Sequence, residues 1–207
     1  MEQRKNIVAA CERAAPSPWV VRFIGLLTAG GETLDLACGA GRHTALLAAH
    51  GHPVLAVDRD IGRLGEVAAA PGVTALAADL EGQAGWPLGL RRFAGVVVTN
   101  YLHRPLLPAI VAAVAPGGLL IYETFALGNE RFGRPSNPDF LLQPGELLAA
   151  LGTELTVLAY EHGAVATPRP AVLQRLAARR PAPGDFASPG GFLYGDRQQG
   201  ECAPHQH

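Results

Sequence analysis

The sequence predicts an α/β protein built on a buried, mostly parallel sheet, and three observations predict it. Short apolar runs alternate with helical segments between residues 32 and 125, the pattern of strands covered on both faces. Three of those runs close on an acid, at Asp35, Asp58 and Asp79. The first acid is followed by Gly39-Ala40-Gly41 and then a helical stretch, an order that brings backbone close to a ligand at the carboxyl end of a strand.

The elements follow in order. Residues 4–14 are polar and helix-compatible. Ser17-Pro18-Trp19 reads as an N-cap, a first-turn proline and an apolar entry. Trp19, Phe23 and Leu26 or Leu27 then share a helical face. Two N-terminal helices over residues 1–29 are expected to cover the sheet edge or the mouth of the site. Trp19 belongs either to the core, the commoner fate of a large aromatic, or beside a ligand. Strand 33–36, helix 42–50, strand 53–57, helix 61–70 and strand 73–77 come next. An irregular segment leads to strand 94–99, helix 105–114 and strand 118–124, the last launched by the turn Pro116-Gly117-Gly118. A helix over 145–151 precedes strands 155–161 and 171–178, which are joined by a proline-containing loop. Residues 1–180 form one domain, the size a single core supports. Residues 181–207 hold nine Gly and Pro residues and little apolar periodicity, so a weakly ordered tail is expected.

Composition narrows the chemistry. The 207 residues are 48% hydrophobic and 17% charged, with a net charge of −1. That balance advertises neither nucleic acid nor an anionic membrane, although a local basic patch leaves nucleic acid open. No apolar run is long enough for a signal peptide or a transmembrane span, so a cytoplasmic protein is expected. Cys11, Cys38 and Cys202 are too scattered for a disulfide framework or a zinc site. Cys202, His205 and His207 lack a fourth metal ligand, and no metal is expected. Lys5 is the only lysine, which removes Schiff-base and Walker chemistry from the interior.

Asp35 decides the ligand class. A turn that receives a pyrophosphate relies on bare glycines and backbone N–H groups. An acid four residues before the first glycine suits a nucleoside that carries positive charge, as S-adenosylmethionine does. Each acid also has a plainer reading: Asp35 as a turn residue, Asp58 as the cap of the next helix, Asp79 as a strand terminator. Their joint placement argues against all three plain readings together.

Leu34-Asp35-Leu36-Ala37-Cys38-Gly39-Ala40-Gly41 resembles the first motif of the class I S-adenosylmethionine-dependent methyltransferases. Val54–Asp58 and Val73–Leu80 are similar to that family's second and third acid-terminated strands. The resemblance covers roughly residues 30–160. It implies a Rossmann-like three-layer αβα sandwich with a seven-stranded sheet in the order 3-2-1-4-5-7-6, closed by a C-terminal antiparallel hairpin. It also implies S-adenosyl-L-methionine as cofactor, bound by Asp35, Ala37, Cys38, Gly39, Gly41, Asp58, Arg59, Asp79, Leu80 and Asn100. In that scheme Asp35 holds the ammonium directly or through water, Asp58 takes the ribose hydroxyls and Asp79 the adenine amino group. Arg42 and His43 either reach the cofactor carboxylate or cap the helix.

Beyond the cofactor, Asn100-Tyr101-Leu102-His103 stands where family members that methylate base amines carry Asn or Asp, two prolines and an aromatic. That departure speaks against a nucleobase amine. His103, Tyr101 and Glu123 are the candidate acid/base residues, with a helix cap as the alternative for His103 and an arginine ion pair for Glu123. The long loop 126–142 reads as a lid or substrate loop. Arg131 and Arg134 there are candidates to grip an acceptor oxyanion or carboxylate, or else they pair with Glu130 and Asp139. Asn137–Leu142 with Pro144–Leu148 resembles a segment of tellurite-resistance-type methyltransferases. The expected partner is thus a small-molecule acceptor: a soft oxyanion, a thiol or a carboxylate. RNA or protein methylation, a catalytically silent protein-binding subunit and an NAD-dependent oxidoreductase are the alternatives. The last requires a third glycine where Arg42-His43-Thr44 stand.

Overall fold

A computed structural model describes residues 15–83, 85–150 and 154–185. The expected helix over 4–14, the end of the helix reaching 151, most of the tail, and Cys11, Cys202, His205 and His207 lie outside the described residues.

Seven strands form one sheet: β1 (Thr33–Leu36), β2 (Val54–Asp58), β3 (Val73–Ala77), β4 (Phe93–Thr99), β5 (Val114–Phe125), β6 (Thr156–Val165) and β7 (Ala171–Arg179). Their order is β3-β2-β1-β4-β5-β7-β6. The first five are parallel, while β7 runs antiparallel to both β5 and β6. Among the described residues four α-helices accompany the sheet: α1 (Pro18–Phe23), α2 (Arg42–Ala49), α3 (Leu107–Ala112) and α4 (Glu146–Ala150).

Alternation along the strands builds two cores. Trp19, Val20 and Phe23 of α1 and Leu47 of α2 pack on Val54, Val97, Leu119 and Ile121. Leu34, Leu36, Val96, Val98, Leu120 and Tyr122 face the other way, onto Ile110 and Val111 of α3 and Leu147 of α4. The sheet is therefore the middle of three layers, with the inner strands β2, β1, β4, β5 and β7 mostly removed from water and the edge strands β3 and β6 half-buried to exposed. Trp19 is 2% exposed and belongs to the core, which corrects the option of a ligand contact.

Three local expectations need revision. Ile61–Ala69 is a run of 3₁₀ turns with Gly65 at φ 54°, ψ −129°. Gly62 and Gly65 weaken a helix there, and Leu64 and Val67 are its buried anchors. Residues 104–112 split into a 3₁₀ turn and α3, each with a proline in its first turn, because Pro105 and Pro108 cannot donate a helical hydrogen bond. β5 begins at Val114, and its register against β4 shifts between Phe93 and Gly95, so Pro116-Gly117-Gly118 is an irregularity within the strand.

Ser17 caps α1 as expected, its hydroxyl accepting from Trp19 N at 3.1 Å.

Candidate functional site

The parallel strands end on one edge, and a cleft of about 960 Å³ lies there, within the range that takes a nucleoside-sized ligand. The β1–α2 turn supplies Ala37, Cys38, Gly39, Gly41 and Arg42. The β2 end supplies Asp58, Arg59 and Arg63, and the β3 end Ala78, Asp79, Leu80 and Glu81. Thr99, Asn100 and Tyr101 come from the end of β4, and Phe140 from the loop after β5.

Backbone conformation makes the turn. Ala37, Gly39 and Gly41 all take positive φ, at 53°, 57° and 74°. A Cβ on Gly41 would lie 2.6 Å from Leu64 Cδ2 and 3.2 Å from Val67 Cγ1, so the 3₁₀ segment packs straight against the turn. Gly39 leaves open space apart from the Arg63 guanidinium, whose Nη2 is 3.9 Å from where a Cβ would stand.

Asp58 locks this turn to the second strand. Gly39 N donates to its Oδ2 at 2.9 Å and Asp60 N to its Oδ1 at 3.0 Å. Each oxygen keeps a lone pair for a ligand. Asp79 is held alike, with Glu81 N donating to Oδ1 at 3.0 Å. These bonds fix two carboxylates at the cleft without consuming them.

Asp35 does something different. It is 1% exposed and does not line the cleft. Thr44 Oγ1 donates to its Oδ2 at 2.6 Å, tying β1 to α2 beneath the turn. Burial pushes the carboxyl up to about 6, against the pull of the Thr44 hydroxyl. This corrects the expectation of direct contact with an ammonium: Asp35 pairs with Ala56 and so shares a sheet face with Asp58, but it lies within β1, where Thr44 of α2 covers it, whereas Asp58 ends β2 at the cleft.

His43 is buried as well. Ser17 N donates to its Nε2 at 3.0 Å, so the proton sits on Nδ1, which faces Thr99 Oγ1 at 3.2 Å. Burial, with the Arg42 charge beside it, drives the imidazole down to about 3. His43 is a neutral strut joining α1, α2 and β4. Arg42 lines the cleft but spends Nη1 on Ala15 O at 3.2 Å. Among the described residues Arg63 makes no ion pair, which leaves it as the unengaged cation over Gly39. Burial and the carboxylates of Asp35 and Asp58 push the Cys38 thiol up, so it stays protonated.

The acceptor-side candidates separate. Tyr101 lines the cleft, and its hydroxyl is enclosed without a hydrogen-bond partner. Burial and the charges of Glu81, Asp79 and Asp58 push that hydroxyl upward, so it is a donor, which corrects its use as a base. Its carbonyl is fixed by Tyr122 Oη at 2.9 Å. Glu123 is 5% exposed, outside the cleft, and 2.7 Å from Arg175 Nε as an ion pair off the line of a hydrogen bond. The β5–β7 register sets those two residues opposite each other, a cross-strand charge pair. His103 also lies outside the cleft, as the residue before the 3₁₀ turn Arg104–Leu106. Asn100 stands at the cleft with φ 54°, a conformation Asn tolerates.

The loop arginines do not reach the cleft. Arg131 Nε donates to Gly128 O at 3.1 Å, and Arg134 is exposed before a cis Pro135. Glu130 bonds Gly128 N at 2.8 Å rather than either arginine. The loop instead presents Phe140 and is fastened by two residues that no motif marks. Arg104 forks onto Glu146, Nε to Oε1 at 2.6 Å and Nη2 to Oε2 at 3.0 Å. Asn129 donates to Pro135 O at 2.9 Å and accepts from Val172 N at 3.2 Å. Among the described residues no group of acids, histidines and cysteines is placed to hold a metal, and no helix is long and apolar enough to cross a membrane.

No protein-family model matches the chain, and no curated protein matches it. Solved structures do. TehB from Haemophilus influenzae is similar at 17% identity with a TM-score of 0.64, over 80% of this chain and 62% of that one. This chain thus spans less than two thirds of the TehB chain. A TehB-like SAM-dependent methyltransferase from Corynebacterium glutamicum matches at 18% identity and a TM-score of 0.57, over 86% of this chain and 95% of that one. The N-methyltransferase NodS from Bradyrhizobium japonicum, solved with S-adenosyl-L-homocysteine, matches at 17% and 0.60, over 86% and 97%. The chain has the fold of S-adenosylmethionine-dependent methyltransferases.

Proposed function

We propose that this protein transfers a methyl group from S-adenosyl-L-methionine to a small-molecule acceptor. The observation that carries the reading is the Gly39–Asp58 junction: a glycine turn whose amide is held by a carboxylate that still faces the cleft. A pyrophosphate would meet that carboxylate as a like charge, whereas ribose hydroxyls meet it as a hydrogen-bond acceptor. The cleft also fits the rest of the cofactor. Leu80, Ala78 and Val67 give it an apolar wall and Asp79 an acceptor beside that wall. Arg63 is available for the amino-acid carboxylate, and Asp35 contributes its charge from below the turn. The similar folds of a TehB-like SAM-dependent methyltransferase and of NodS, solved with S-adenosyl-L-homocysteine, support the same ligand.

The cofactor supplies an electrophilic methyl on sulfonium sulfur. The chain's own residues position and desolvate, and alignment provides most of the acceleration. His103 and Glu123 stand outside the cleft, and Tyr101 holds its proton. An acceptor already deprotonated in water, such as a thiolate, a carboxylate or a soft oxyanion, suits a site so furnished. S-adenosyl-L-homocysteine is expected to raise the melting temperature and NAD to leave it unchanged. The opposite pair of results rejects the reading.

A further inference from the structure

The loop after β5 sends one large apolar side chain to the cleft. Phe140 is 50% exposed and lines the cleft. An aromatic left half in water at a ligand site gains cover only when the site is filled. Its position is not left to the loop. Arg104 Nη1 donates to Asp139 O at 2.6 Å and Nη2 to Leu141 O at 2.9 Å. These are the carbonyls on either side of Phe140. The same guanidinium is clamped by Glu146, and Gln143 N donates to Glu146 Oε2 at 2.8 Å. Asn137 adds a local brace, its Oδ1 accepting from Asp139 N at 3.1 Å. Leu141 and Leu142 then bury themselves in the core, so the chain is pinned just behind the exposed ring.

A planar guanidinium forked onto a carboxylate fixes direction as well as distance. Lysine in that place makes neither the bidentate pair nor both carbonyl bonds. Arg104 opens the 3₁₀ turn five residues after the end of β4 and three beyond Tyr101, so the clamp ties the chain that follows Tyr101 to the Phe140 loop.

We infer that Phe140 packs against the bound cofactor and that Arg104 is the positioning residue that presents it. The inference rests on the cofactor reading above. Calorimetric titration of S-adenosyl-L-homocysteine into the wild type, Phe140→Ala, Arg104→Gln and the double variant tests it, with thermal melts to establish folding. Each single variant is expected to bind about tenfold more weakly, the loss of one buried aromatic contact. The double variant is expected to bind no more weakly than Phe140→Ala alone, because Arg104 acts through that ring. Phe140→Leu is expected to recover part of the loss. Unchanged affinity in Phe140→Ala, or losses that multiply in the double variant, overturns the inference while leaving the cofactor reading intact. A wild type that binds no S-adenosyl-L-homocysteine overturns the cofactor reading itself.

Discussion

Replacing Asp35 by Asn should change how stability depends on pH more than it changes stability at any single pH. The buried carboxyl titrates at about 6 against an ordinary 3.8. At roughly 1.4 kcal/mol per pH unit, holding it ionised in the fold costs about 3 kcal/mol. Because the folded value is raised, the favourable contribution is complete below 3.8 and is lost as pH rises through about 6. His43 works in the opposite sense. Its folded value is lowered to about 3, so its contribution is complete above the ordinary 6.5 and is lost as pH falls. The wild-type curve mixes the two slopes. The difference between wild type and Asp35→Asn cancels His43, and the pH-independent cost of burying the new amide enters it only as a constant offset that does not alter its slope. Urea unfolding followed by Trp19 and Trp86 fluorescence, at intervals from pH 4 to pH 7, measures that difference. The wild type should lose about 2.4 kcal/mol relative to the variant over this range. A difference that stays flat, or that moves toward the wild type as pH rises, refutes the account of Asp35 as a carboxylate charged at a cost.

The same residue links pH to ligand binding: protonating Asp35 removes a negative charge beneath the turn, so wild-type affinity for S-adenosyl-L-homocysteine should weaken from pH 7 to pH 5, while Asp35→Asn stays level in the same titration. Gly41→Ala combines a left-handed φ with a Cβ 2.6 Å from Leu64, and chemical denaturation should show a loss of about 2–4 kcal/mol. Arg63→Gln should weaken S-adenosyl-L-homocysteine binding and leave 5′-methylthioadenosine, which lacks the carboxylate, unaffected; equal losses for both assign Arg63 to the nucleoside instead.

The sheet was legible because its central strands are almost fully buried. Continuous apolar runs such as Val96-Val97-Val98 and Leu119-Leu120-Ile121 have no other stable home, and the strand order came with the motif that starts at Leu34. The acids at 58 and 79 were legible for the same reason, since a strand's carboxyl end is a fixed place on such a sheet. Side-chain direction was harder. Asp35 belongs to the motif, yet its place inside β1 rather than at the strand's end hides it beneath the turn with Thr44, a partner that sequence distance does not advertise. Arg131 and Arg134 looked like anion grips because arginine in a loop is conspicuous. The residues that shape that loop are Arg104 and Asn129, whose partners lie 42 and 43 positions away. Glu123 was readable only once β7 was set beside β5 and Arg175 came opposite it. Pairings across such separations follow from register, and local pattern does not carry register between non-adjacent strands.

The central claim is that the Asp58 carboxylate, held by the Gly39 amide, receives the hydroxyls of a nucleoside cofactor. Calorimetric titration of S-adenosyl-L-homocysteine into the wild type and Asp58→Ala tests it most directly. The account predicts saturable one-to-one binding by the wild type and a loss of thirtyfold or more in a variant that still melts cooperatively, the loss of charge-assisted hydrogen bonds worth about 2 kcal/mol or more. Equal affinities for the two proteins would contradict it.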